Sequence, residues 1–156
     1  PHEGSSGEAR PRVHLIWLEG VIGAGKSTGL RGLSLQLAGD TCVELLQEPV
    51  DDWRQSGALA ALYSGTVSAL AFQLLALPTV ALPVLRALRR ALGHGRGHVI
   101  VVERSLRSNR DVFALGCLST SEMAMYDMVY SGFAQELAQC NALGDVQAGG
   151  PGLVFF

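Results

Sequence analysis

Gly20-Val21-Ile22-Gly23-Ala24-Gly25-Lys26-Ser27 fits the spacing G-x-x-x-x-G-K-[ST] at every fixed position. Glycines at these places let a loop curl with its N–H groups turned inward, which suits an anion such as a nucleotide phosphate. Lys26 would reach the terminal phosphates. The Ser27 hydroxyl, with Thr28 beside it, would offer a hard oxygen to Mg²⁺. Two acidic motifs follow. Glu48-Pro49-Val50-Asp51-Asp52-Trp53 places a carboxylate and an aromatic wall close together, and Glu103-Arg104-Ser105 places a second carboxylate beside a fixed cation. A carboxylate near bound phosphates can take the proton of an attacking hydroxyl, as phosphoryl transfer to an alcohol requires. An acid of the second kind serves Mg²⁺ directly or through water.

These residues need elements to carry them. Val13 to Leu18 is a short apolar run entering the glycine-rich turn, which predicts a buried strand. Ser27 to Leu37 has leucines at helical spacing, with Gly39 placed to end the helix. Thr41 to Leu46 reads as a second strand, closed by Glu48-Pro49. Residues 57–92 are mostly helix formers and predict two helices. His98 to Val102 is β-branched and apolar, hence a third strand. Glu122 to Asn141 predicts a helix with Met125, Met128, Val129 and Phe133 near one face, and Leu153 to Phe156 would begin a last strand. Short apolar strands alternating with helices argue an α/β fold with a buried parallel sheet. In such a sheet the strand C-termini face one ligand crevice, so the glycine loop, Glu48 and Glu103 are expected on a single rim.

Composition narrows the field. The chain has 156 residues, about one domain by length. It is 48% hydrophobic and 17% charged, which excludes a disordered chain. A net charge of −2 gives no reason to expect a nucleic-acid partner. The mean hydropathy of +0.26 raises the question of a membrane span, and Thr66 to Leu85 carries no charge. Pro78, Pro83 and Gln73 interrupt that stretch, and a span would separate the glycine loop from Glu103. A buried, proline-kinked helix is expected instead, with no membrane partner. Cys42, Cys117 and Cys140 lack metal or disulfide spacing and read as reduced thiols. Arg86, Arg89 and Arg90 read as a solvated basic face. Residues 1–12 read as a flexible leader and 13–156 as the domain. The chain begins without Met and stops inside an apolar run, which suggests a fragment. No secretory signal is visible, so the expected setting is intracellular, cytoplasmic or mitochondrial.

Together the stretches LEGVIGAGKST, EPVDDW, Phe72-Gln73 and ERSLRSNRDVF resemble the deoxynucleoside kinase family, which holds deoxycytidine, deoxyguanosine and mitochondrial thymidine kinases. The resemblance runs from about Val13 to Phe156. It implies a three-layer α/β/α phosphate-loop kinase core with a parallel sheet, ATP as phosphate donor, Mg²⁺, a deoxynucleoside acceptor and a homodimer through the long helices. It also implies roles. Gly20, Gly23, Ala24, Gly25, Lys26, Ser27 and Thr28 would hold the nucleotide phosphates. Glu48 would take the proton of the nucleoside 5′-hydroxyl, with Arg104 beside it and Glu103 near Mg²⁺. Trp53 would wall the cleft, Gln73 would pair with the base edge, Phe113 would stack on the base, and Tyr63 would hold the sugar 3′-hydroxyl.

The chain departs from the family pattern at the base. Asn109 stands where purine- and cytidine-preferring members have Asp, and Val80 stands where they have Arg. Base choice is therefore open, with a lean toward pyrimidines. The family's arginine-rich lid lies beyond the fourth strand, so a C-terminally truncated core that binds better than it turns over is expected. Two other readings compete. A nucleoside monophosphate kinase of the thymidylate type shares a similar glycine-loop opening, but expects glycines after Glu-Pro. A non-catalytic phosphate-loop fragment would bind nucleotide without turnover.

Overall fold

The computed structural model describes residues 12–94, 96–143 and 145–148. Among these, four strands form one parallel sheet in the order β2-β3-β1-β4. The chain runs β1 (Arg12–Leu18), α1 (Lys26–Gln36), β2 (Val43–Leu46), α2 (Val50–Gln55), α3 (Ala58–Tyr63), α4 (Ala69–Gly93) and β3 (His98–Glu103). It continues through α5 (Leu106–Ser108), a π-helix (Asn109–Ala114), α6 (Leu115–Cys117), α7 (Thr120–Leu143) and β4 (Asp145–Ala148).

Strand alternation explains the layers. Val13 and Leu15 of β1 and Ile100 and Val102 of β3 face α4 and α7, where Val84, Leu88 and Cys140 complete the core on that face. Leu18 and Val101 point to the opposite face and meet Leu30 of α1. The result is the three-layer α/β core implied by the sequence. β3 pairs with β1 from Val13↔His98 to Leu18↔Glu103 and with β2 from Val43↔Val99 to Leu46↔Val102. That register aligns the C-terminal ends of β2, β3 and β1 side by side.

Helix α4 is long and apolar enough to cross a membrane by length and composition alone. In the fold, Leu77, Ala81, Ala87, Leu88 and Ala91 are fully or almost fully buried against sheet and helices, and Pro78 and Pro83 lie inside the helix. Of the expected basic face, Arg89 pairs with Glu136 of α7 at 2.5 Å and Arg90 pairs with Glu44 of β2.

Several boundaries differ from expectation. β1 begins at Arg12, inside the stretch read as leader; residues 1–11 lie outside the described residues, as does the expected strand at 153–156. The fourth strand is instead Asp145–Ala148, pairing with β1. β2 is shorter than Thr41–Leu46, although Val99 N still donates to Cys42 O at 2.8 Å. The face expected on α7 is corrected: Met125, Met128 and Val129 are exposed, while Met123, Tyr126 and Cys140 are buried. Phe133 alone of the expected set packs inward. The helical segment from Leu106 to Cys117 was not foreseen.

Candidate functional site

The glycine loop joins β1 to α1. Gly23 and Gly25 adopt φ of +85° and +82°, a left-handed conformation that glycine enters without a Cβ penalty. Gly25 caps α1 with no side chain on the first helical N–H groups, and the first turn carries no acid. The helix N-terminus is thus left with its donors and its positive dipole end directed out of the loop. Lys26 is buried, and its Nζ donates to Gly20 O and Val21 O, each at 2.9 Å. In this structure the ammonium therefore braces the loop carbonyls rather than extending outward.

Glu48 and Arg104 come together at the ends of β2 and β3. Arg104 is 5% exposed, and its Nε lies 3.2 Å from a Glu48 carboxylate oxygen. Burial pushes the Glu48 carboxyl above its ordinary value, with Arg104 opposing that rise by charge and hydrogen bond. The Arg104 guanidinium also sits over the Phe113 ring, 4.3 Å from its centre. Glu103 links this pair to the glycine loop: Ser27 Oγ donates to its Oε1 at 2.6 Å, and its Oε2 accepts Glu48 N at 3.4 Å. A hydroxyl and a carboxylate in contact are the hard oxygen donors that Mg²⁺ takes, with one or two protein ligands and the rest from water and phosphate. Ser27 and Glu103 therefore fit that ion. No group of three or more His, Cys, Asp or Glu side chains with metal-ligand geometry occurs among the described residues.

Between these groups and α4 lies a cleft of about 510 Å³. Its floor at one end is the glycine loop, contributing Gly23, Gly25, Lys26, Ser27 and Thr28. Gly20 and Ala24 do not line it. At the other end Trp53 of α2 and Phe72 of α4 meet edge to face, with ring centres 5.5 Å apart. Trp53 Nε1 donates to Thr79 Oγ1 at 3.0 Å, and Thr79 Oγ1 donates onward to Ala76 O at 2.7 Å. Gln73 is buried and lines the cleft, its Nε2 3.8 Å from Cys117 Sγ. Tyr63 lines the rim and is 82% exposed. Val80 is buried in the core and does not line the cleft.

The π-helix supplies the remaining wall. Its wider turn brings Asn109 and Phe113 to the same cleft. Tyr126 Oη donates to Asn109 Oδ1 at 3.3 Å from a fully buried ring on α7. Arg110 pins the π-helix to α7 through Asp127, with its Nε at 2.6 Å and its Nη2 at 2.8 Å. Those bonds hold the Asp127 carboxyl below the usual range.

Three residues behind the cleft carry no signal in the sequence. Thr79 and Tyr126 hold Trp53 and Asn109 through single hydrogen bonds. Glu19 accepts the Ser105 amide at 3.0 Å. Glu19 stands immediately before the glycine motif, so the motif spacing could not single it out; only the pairing of β1 with β3 brings it to Ser105.

A model of the family described as deoxynucleoside kinase matches residues 16–143. Among solved structures, that of thymidylate kinase from Ehrlichia chaffeensis is similar, with a TM-score of 0.53 and 15% identity. The match covers 85% of this chain and 80% of that one, and at this identity it speaks for the fold. No curated protein matches the chain.

Proposed function

Because the chain belongs to the deoxynucleoside kinase family, a family of ATP-dependent phosphotransferases, we propose that it transfers the γ-phosphate of ATP to the 5′-hydroxyl of a deoxynucleoside. The observation that carries this reading is the Glu48–Arg104 pair, 3.2 Å apart, lining the same cleft between the glycine loop and the Trp53–Phe72 end. Glu48 accepts the 5′-hydroxyl proton as that oxygen forms its bond to the γ-phosphorus. The bond from the γ-phosphorus to the β,γ-bridging oxygen breaks, and ADP leaves. Arg104 keeps the Glu48 carboxylate oriented and offsets part of its desolvation. The loop amides and the α1 N-terminus hold the phosphates. Ser27 and Glu103 would hold Mg²⁺, which when bound neutralises phosphate charge and orients the transferred group. Trp53, Phe72 and Phe113 supply apolar walls for a flat base. Gln73 and Asn109 supply amides for its edge, and Tyr63 a hydroxyl at the sugar side.

Charge favours a nucleoside over a nucleotide acceptor. Among the described residues, the charged side chains lining the cleft are Lys26, Glu48, Glu103 and Arg104. Both cations are engaged, Lys26 by loop carbonyls and Arg104 by Glu48. A monophosphate seated at Glu48 would place its own charge against a carboxylate without a spare cation. The reading includes a homodimer through the long helices, supported by the exposed Met125, Met128 and Val129 of α7 and Leu75 and Leu82 of α4.

Incubation with γ-labelled ATP, Mg²⁺ and each deoxynucleoside, and in parallel each deoxynucleoside 5′-monophosphate, tests the reaction. Label recovered in a deoxynucleoside 5′-monophosphate, lost in Glu48→Gln, is the expected result. Label appearing only in diphosphates, from monophosphate acceptors, would overturn the reading.

A further inference from the structure

Arg104 has a φ of +71°, the one positive φ outside glycine among the described residues. A side chain with a Cβ does not hold this conformation unless its surroundings impose it. What imposes it is visible on both sides of the residue. Arg104 N donates to Leu18 O at 3.0 Å, so the chain leaves β3 still tied to the end of β1. The next amide, Ser105 N, donates to Glu19 Oε1 at 3.0 Å. Ser105 then caps the following turn, its Oγ accepting Ser108 N at 3.0 Å. The turn between these anchors folds the Arg104 side chain back onto Glu48 and over the Phe113 ring.

We propose that Glu19 is a positioning residue, whose carboxylate clamps the Ser105 amide and so holds Arg104 in the left-handed turn that delivers its guanidinium to Glu48. The first anchor is a backbone carbonyl in a strand and is common to any residue there. The second is a side chain reaching across 86 positions of sequence. Glu19 also adjoins Gly20, whose carbonyl receives Lys26 Nζ. One residue thus fixes the arginine turn from the foot of the glycine loop. Glu19 does not line the cleft, so its effect passes through Arg104.

The proposal builds on the reading of Glu48 and Arg104 as the acceptor-side pair. Its test needs neither substrate nor turnover, so the two can fail separately. The clamp depends on an acceptor oxygen at the right reach and not on charge. Glu19→Gln keeps the oxygen and loses the charge. Glu19→Asp keeps the charge and falls short, and Glu19→Ala removes both. Nuclear magnetic resonance on the ¹⁵N-labelled chain reads the Ser105 amide and the Arg104 Nε–H directly. With its guanidinium 4.3 Å from the Phe113 ring centre and 3.2 Å from Glu48, the Arg104 side-chain signal is expected to be displaced by the ring current and protected from exchange. In Glu19→Asp and Glu19→Ala, both protons are expected to exchange with water about tenfold faster, the effect of one lost hydrogen bond. The ring-current displacement of Arg104 should collapse. Glu19→Gln should restore both signals to near wild type. If Glu19→Ala does not fold, the Asp and Gln variants decide alone. Loss of protection at Ser105 with the Arg104 signal unmoved would overturn the proposal, as would a Gln variant that behaves like Asp, or a general fall in protection with no selective change at Arg104.

Discussion

As the proposed base, Glu48 carries opposed demands, since burial favours its neutral form while a base must be ionised. Its carboxyl is raised above 4.5, so the rate should fall as the pH drops through that raised value, and the acid limb of kcat/KM should have a midpoint above 4.5. A midpoint at or below 4.5 would contradict the burial argument. The same sign governs stability: this group's contribution is fully present below its unfolded value and is lost as the pH rises through the folded one. Glu48→Gln removes the base and should lower turnover by about 10²–10⁴-fold, measured under saturating ATP. Trp53 depends on a smaller contact. Thr79→Val leaves its indole N–H without an acceptor, which should lower unfolding free energy by about 1–3 kcal/mol in a denaturant titration. An unchanged titration midpoint would show that Trp53 finds another acceptor.

At the scale of elements, the glycine loop and the strand ends divide the work. Gly25 begins α1 at φ +82°, and a Cβ there would meet nothing within 4 Å. Gly25→Ala is therefore a test of backbone conformation without crowding. It should cost about 1–2 kcal/mol, read as a lowered melting temperature. In α4, Leu88 is fully buried between sheet and α7, so Leu88→Ala should cost about 2–5 kcal/mol in the same assay. The parts of the site legible in the sequence were those carried by local pattern: the glycine motif after an apolar strand, and Glu48 and Glu103 at strand ends. Trp53 was legible as an aromatic wall beside Glu48; Gln73, Asn109 and Phe113 were named from family resemblance, and all four line one cleft. Less was legible where long-range packing decides. Twenty-four residues of α7 have weak amphipathic periodicity, because Tyr126 and Tyr130 are drawn to the π-helix side while Met125 and Met128 are left outside. The π-helix has no turn signal and depends on Arg110 gripping Asp127 from another element. Glu19 and Thr79 act through single contacts across the fold, which no spacing along the chain encodes.

Across the whole molecule, parallel pairing in the order β2-β3-β1 brings Glu48, Arg104 and the glycine loop to the C-terminal end of the sheet. The exposed methionine face of α7 points outward from the same core. Light scattering across a concentration series should give a particle of twice 16.5 kDa, and Met128→Glu should return it to monomer. A monomer at every concentration would remove the dimer. The proposed cleft accepts a nucleoside and not a nucleotide. The most direct measurement is the melting temperature of the chain against a panel of deoxynucleosides and their 5′-monophosphates, because a ligand of the native state raises it without any turnover. At a hundredfold excess over Kd, a bound deoxynucleoside should add about 2.7 kcal/mol, a rise of about 5–10 °C. That rise is expected with at least one deoxynucleoside and not with its monophosphate; a rise with monophosphates alone would rule out a nucleoside cleft.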